Sequence, residues 1–144
     1  MHDTRLLVQE TSPFLRRVGV QVEEASPAEV RLHLPLNPDN LGSSGQLHAG
    51  AIFTLATAAA TVLAQLAFDP TQFSIIDKTG DVRFRRPARG DLWARAQLSH
   101  QVLEATLERG RTEGRVDVAV PVSLSDQAGE RVADATVTLS LRRL

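Results

Sequence analysis

The densest apolar run in the chain lies between Leu47 and Phe68, with no charged residue from Ala49 to Phe68. Alanine and leucine favour a helix, and the run is long enough for about five turns. Apolar residues fall on every side, so the helix is expected to be buried all round. The length also suits a bilayer span. An Ala- and Thr-rich composition between alternating segments points instead to the core helix of a globular domain.

The flanking segments alternate with period two. Val18, Val20 and Val22 suggest a first strand, and Ser26-Pro27 a turn. Val30, Leu32, Leu34 and Leu36 alternate with Arg31, His33 and Pro35, a half-buried strand that leaves His33 on its solvated face. Beyond the helix, Phe73 to Asp77 reads as a short strand and Asp81 to Arg86 as another or its continuation. Leu92 to Leu98 and Leu103 to Leu107 carry opposite phases, which predicts one long strand bulged near Ser99 to Gln101. Val116 to Leu124 and Ala135 to Leu141 alternate cleanly around the hairpin turn Asp126-Gln127-Ala128-Gly129. Pro121 hints at an edge or a bulge. Ahead of all this, Asp3 to Arg17 reads as one or two short helices, with Ser12 as N-cap and Pro13 at the first helical position.

Two strands, a long helix and three or four further antiparallel strands make an α+β domain whose sheet must curl around the helix to bury its apolar face. Such a sheet leaves edges exposed, and dimerisation is the expected way to cover them. At 144 residues a single domain is expected. A formal net charge of −1, one tryptophan and no tyrosine argue against nucleic acid or an anionic membrane as partner. The absence of cysteine excludes disulfides and thiolate metal sites, and no His, Asp and Glu spacing suggests another metal site. The N-terminal residues lack the order of a secretion signal, so a cytoplasmic protein is expected.

Candidate chemistry gathers at the helix. His48-Ala49-Gly50 opens it, where free N–H groups and the positive dipole end suit a carbonyl oxygen gaining negative charge. A glycine-rich loop that merely enters a helix reads equally well. Thr54, Thr57, Thr61 and Gln65 form one polar stripe. Their hydroxyls either bond to carbonyls one turn back or face a partner helix or a ligand. Asp77-Lys78 interrupts an apolar run as a strand end in water or as a carboxylate at the mouth of a site. Arg83, Arg85, Arg86, Arg89 and Arg95 cluster around Pro87, on a solvated sheet face or around phosphates.

Two stretches carry a resemblance. Gly45-Gln46-Leu47-His48-Ala49-Gly50-Ala51, followed by Phe53-Thr54-Leu55-Ala56, resembles the helix entry of hotdog-fold acyl-CoA thioesterases of the phenylacetic-acid-pathway type. Asp81 to Asp91 resembles that family's strand ending in Arg-Pro-Ala-x-Gly-Asp. The resemblance implies a hotdog fold, a homodimer or dimer of dimers, and thioester hydrolysis at the subunit interface, with coenzyme A only as part of the substrate. It implies that the N–H groups of Ala49 and Gly50 after His48 polarise the carbonyl. It also implies that the helix acid falls at Thr57, which is neither a base nor an activated nucleophile. Asp77 is the expected substitute acid. Asn40, and Gly42 at the position where relatives often keep an asparagine, are expected at the substrate together with Gln46, Thr54 and Thr61. Arg85, Arg86 and Arg89 are expected at the coenzyme A phosphates. The alternative is a non-catalytic acyl-CoA-binding protein in which Thr57 marks lost chemistry; a hydratase is disfavoured because no paired Asp and His arrangement is present.

Overall fold

The computed structural model describes residues 12–144. A short helix α1 (Pro13–Val18) leads into β1 (Gln21–Ala25) and β2 (Glu29–Leu34), then the long helix α2 (Ala49–Ala67) and β3 (Phe73–Phe84). β4 (Leu92–Gln97), helix α3 (His100–Glu113), β5 (Arg115–Ser125) and β6 (Arg131–Arg143) complete the chain. The strands form one antiparallel sheet in the order β1-β2-β4-β5-β6-β3. α2 packs on β2, β3, β4, β5 and β6. Its Leu55, Ala56, Ala59, Ala60, Leu63 and Ala64 are fully enclosed by inward residues such as Leu32, Ala94, Val120, Val137 and Leu139. α2 is apolar enough to span a bilayer by length and composition, with a mean hydropathy of 1.6, yet here the sheet wraps it.

α1 begins as its sequence requires. Ser12 Oγ accepts from the Leu15 N–H at 3.3 Å, and Pro13 takes the first helical position. The remainder of the predicted Asp3 to Arg17 helical segment lies outside the described residues. Val18 closes α1, and Gly19, at φ 103°, caps it, so the first strand starts at Gln21 and not at Val18.

The expected long, bulged strand from Leu92 to Leu107 is corrected. β4 stops at Gln97 and α3 begins at His100. Ser99 caps that helix, its Oγ accepting from the Val102 N–H at 3.2 Å, and Gly114 ends it at φ 78°. Leu103, Thr106, Leu107 and Gly110 recur at helical spacing and supply its covered face. The apparent change of strand phase was a change of period.

β3 is one continuous strand carrying a bulge between Asp77 and Thr79. Ile75 and Asp77 pair with the inward-facing Leu141 and Leu139, while Gly80 and Val82 pair with the inward-facing Val137 and Ala135. The extra residue therefore keeps both Asp77 and Gly80 on the helix side. Pro121 is neither at an edge strand nor at a bulge. It falls one residue beyond Val122, the last β5 position paired with β4, where the ladder on that side ends.

The expectation of a helix buried all round is also corrected. Ala49, Gly50 and Phe53 are exposed, and Thr54, Thr57 and Thr61 are half-buried along the same face. β3 forms one edge of the sheet beside that face, so one flank of α2 has no cover within the chain.

Candidate active site

The loop before α2 is held from behind. Asn40 is 3 % exposed, and its amide nitrogen donates to the carbonyls of Val18 and Pro35, each at 2.9 Å. Its side-chain oxygen accepts from the Asn37 N–H at 3.0 Å, and its carbonyl accepts from the His48 N–H at 2.9 Å. Asn40 therefore has its whole polar inventory committed to the loop, and the expectation that it meets substrate is corrected. Gly42 turns the same loop, donating to the Gln46 carbonyl at 2.6 Å. The Leu47 N–H reaches the Ala88 carbonyl at 2.9 Å, which ties the helix entry to the segment after β3.

His48 is the N-cap of α2. Its Nδ1 accepts from the Gly50 N–H at 2.8 Å, while its carbonyl accepts from the Ala51 and Ile52 N–H groups. Of the amides that open the helix, the Ala49 N–H alone lacks an acceptor among the described residues. Of the two amides expected to polarise a carbonyl, that of Gly50 is already bonded to the side chain of His48. Ala49 lines a cleft of about 380 Å³ with Gln46, Ile52, Phe84, Arg85 and Arg86. One donor without an acceptor thus sits at the positive helix end, on a residue that lines this cleft.

The threonine stripe divides. Thr54 Oγ1 donates to the Gly50 carbonyl at 2.8 Å, and Thr57 Oγ1 lies 3.1 Å from the carbonyls of both Phe53 and Thr54. Both hydroxyls thus bond back along the helix, the local alternative anticipated for them. Thr61 breaks the pattern, because its Oγ1 donates to Asp77 Oδ1 at 3.2 Å. Asp77, Thr57, Phe53 and Gly80 line a second, smaller recess of about 190 Å³. Asp77 and the threonine stripe, read separately in the sequence, therefore meet.

The arginine cluster does not act as a unit. Arg85 pairs with Asp134, and Arg86 with Glu130 at 2.5 Å. The guanidinium groups of Arg85 and Arg131 hold the Asp134 carboxyl below its ordinary range. Arg89 is exposed and makes no ion pair among the described residues.

Three features escaped the sequence reading. Phe84 lines the cleft at the helix entry while 52 % exposed. Gly80 lets the Phe53 ring lie against β3, since a Cβ there would come within 2.9 Å of Phe53 Cζ. Asp91, at the end of the second motif, accepts from the Leu36 N–H at 3.0 Å and pairs with His33 Nε2 at 2.9 Å. His33 stacks on Trp93 with ring centres 4.5 Å apart. A lone glycine in a strand was the available signal for the Phe53 contact; nothing in the sequence foretold the His33–Asp91 pair.

The family model described as a domain of unknown function, DUF4442, matches residues 4–141. The chain belongs to the DUF4442 family. A candidate thioesterase of Pseudomonas aeruginosa, PA5026, superposes with this DUF4442 chain at a TM-score of 0.91. The two are 33 % identical, and the match covers 98 % of this chain and 94 % of that one. A candidate esterase of Halobacterium salinarum is 31 % identical over 126 residues, covering 83 % of this chain and 78 % of its own. The Haemophilus influenzae thioesterase HI1161, at 15 % identity, shares the fold with a TM-score of 0.80 over 100 % of this chain and 93 % of its own. The DUF4442 chain has the hotdog fold of these thioesterases, as its two motifs implied.

Proposed function

We propose that this protein hydrolyses acyl-CoA thioesters at a site completed by a second copy of the chain. The observation that carries the reading is Ala49, which lines the cleft at the start of α2 and whose N–H has no acceptor among the described residues. Asp77, the best-placed carboxylate, is bonded to Thr61. Thr61 is twelve residues along the helix from Ala49, or about 18 Å at the usual rise. One protomer therefore cannot bring its own amide and its own acid to one carbonyl. Two α2 helices packed antiparallel along their uncovered flanks would set the Ala49 N–H of one opposite the Thr57–Thr61 segment and Asp77 of the other.

In that arrangement the thioester oxygen accepts from the Ala49 N–H. Asp77 of the facing protomer takes a proton from water as the water oxygen attacks the carbonyl carbon. The developing oxyanion is stabilised by the amide and the helix dipole. The C–S bond then breaks, and the thiolate leaves with the proton that Asp77 had taken, giving a carboxylic acid and free coenzyme A. Gln46 and Phe84 line the acyl side of the cleft. Arg89, free of carboxylate partners among the described residues, is the first candidate for the coenzyme A phosphates, with Arg85 and Arg86 available only by exchanging theirs. The names of the relatives support the reaction class; acyl-CoA is the substrate this reading takes from the motifs, and the cytoplasm is the setting it takes from the sequence as a whole.

A second reading, a non-catalytic acyl-CoA-binding protein, has its own observation: the Thr57 hydroxyl is turned back onto its helix. A panel of acyl-CoA substrates with free-thiol detection separates the two, alongside binding of a non-hydrolysable analogue. Asp77→Asn is expected to lower kcat by about a hundredfold or more while analogue binding is unchanged. Analogue binding without thiol release by the native protein selects the second reading. Thiol release unaffected by Asp77→Asn removes Asp77 from the mechanism.

A further inference from the structure

On the face of the sheet turned away from α2, Arg115 of β5 and Arg142 of β6 stand directly opposite one another. Their neighbours in sequence, Val116 and Leu141, point into the core, which fixes both arginines outward. Both are exposed, and neither has an ion pair among the described residues. Facing positions in an antiparallel pair bring Cβ atoms to about 5 Å, and like charges so placed repel.

A carboxylate beside them on this face is already committed. Asp117, two residues from Arg115, accepts from Lys78 Nζ at 2.5 Å, and that bond and charge, then the Ser140 hydroxyl and the Arg115 charge, hold its carboxyl below the ordinary range. Lys78 and Arg115 thus both draw on one carboxylate, and Arg142 has no ion pair among the described residues. Ser74 of β3 lies on the far side of Arg142 in the ladder, with its hydroxyl unpartnered among the described residues. The row Arg115, Arg142, Ser74 crosses three strands and offers two guanidinium forks and a hydroxyl to one anion. By contrast, Arg85, Arg86, Arg95 and Arg131 of the same chain each have an acidic partner.

We propose that Arg115, Arg142 and Ser74 form a binding site for a soluble phosphate monoester, separate from the hydrolytic site across the sheet. A phosphate dianion accepts from two guanidinium forks at once, and it cancels the repulsion that the bare pair carries. The proposal does not depend on thioesterase activity, so either can fail alone.

Isothermal titration with glycerol 3-phosphate at fixed ionic strength tests it. Saturable one-site binding is expected, weakened at least about tenfold in Arg142→Gln and in Arg115→Gln and less in Arg142→Lys. Thermal melts supply the second readout. Saturating glycerol 3-phosphate is expected to raise the Tm of the native protein by about 2–4 °C and to leave Arg142→Gln unmoved. Arg142→Gln without ligand should melt no lower than the native protein, because a repulsion is gone. No saturable binding by the native protein overturns the proposal, as does binding by the two Gln variants that is as tight as the native protein's. Binding confined to phosphatidylcholine vesicles containing phosphatidic acid also overturns it, by assigning the surface to a lipid headgroup.

Discussion

At the scale of single residues, two contacts decide how the helix face presents itself. The first is the His48 cap, whose Nδ1 must be unprotonated to accept from Gly50. His48→Ala is expected to lower stability by about 1 kcal/mol, the usual cost of losing a side-chain cap. The variant also frees the Gly50 N–H, so chemical denaturation read beside thiol release separates the cap's stabilising part from any effect on the carbonyl. An unchanged denaturation midpoint would show that the cap contributes nothing. The second contact is Phe53 on Gly80. Gly80→Ala would set a methyl 2.9 Å from Phe53 Cζ, and because the exposed ring can turn aside the cost is expected at the low end of overpacking, about 1 kcal/mol. Phe53→Leu in the same chain should return most of that loss, and a double-mutant cycle with no coupling would break the argument.

At the scale of elements, α3 shows where pattern reading fails. Its capping residue Ser99 and its terminating Gly114 were both in plain view, with Leu103, Thr106, Leu107 and Gly110 between them. Alternation at Leu103, Ala105 and Leu107 fits a strand equally well over five residues, and only the caps arbitrate. Ser99→Ala should cost about 1 kcal/mol in urea denaturation, with loss of helical signal at 222 nm expected if the helix end frays. A substitution without effect would mean that burial of Leu103 and Leu107 alone sets the boundary. The central helix and the β5–β6 hairpin were legible because each satisfies pattern, length and turn chemistry together. The site was legible in its pieces and not in its assembly. His48 and Thr61 stood out in the sequence, but the bulge that turns Asp77 toward Thr61 is a property of the β3–β6 register. Asn40 was misplaced for a related reason, since its partners Val18 and Pro35 come from segments the loop packs against only after folding.

At the scale of the whole molecule, acid and assembly are the two levers. The Leu36 N–H first, and His33 second, hold the Asp91 carboxyl below its ordinary value of 3.8. A carboxyl depressed in the folded state contributes stability above its unfolded pKa and loses it as pH falls through the folded one. Denaturation midpoints should therefore fall below about pH 4, and Asp91→Asn, which keeps an acceptor for Leu36, should flatten that fall. A slope unchanged by the substitution would assign the acid sensitivity to Asp117 and Asp134, which are depressed as well. Assembly has a sharper signature. β3 is an open edge twelve residues long; Phe53 beside it is 40 % exposed, and its own Ile76, on the sheet's other face, is 58 % exposed. An edge that long with aromatic and aliphatic side chains along it invites pairing with another strand. A two-fold pairing of β3 with itself would cover the edge and bury the open flank of α2 in the same step. Phe53→Glu should then give a monomer in sedimentation at micromolar concentration. It should also lose thiol release, even though Ala49 and Asp77 remain in every chain. A Phe53→Glu monomer that still hydrolyses acyl-CoA would show that one protomer holds a complete site. A native protein that stays monomeric at high concentration would remove the facing Asp77 altogether, and with it the reason that amide and acid sit a helix-length apart.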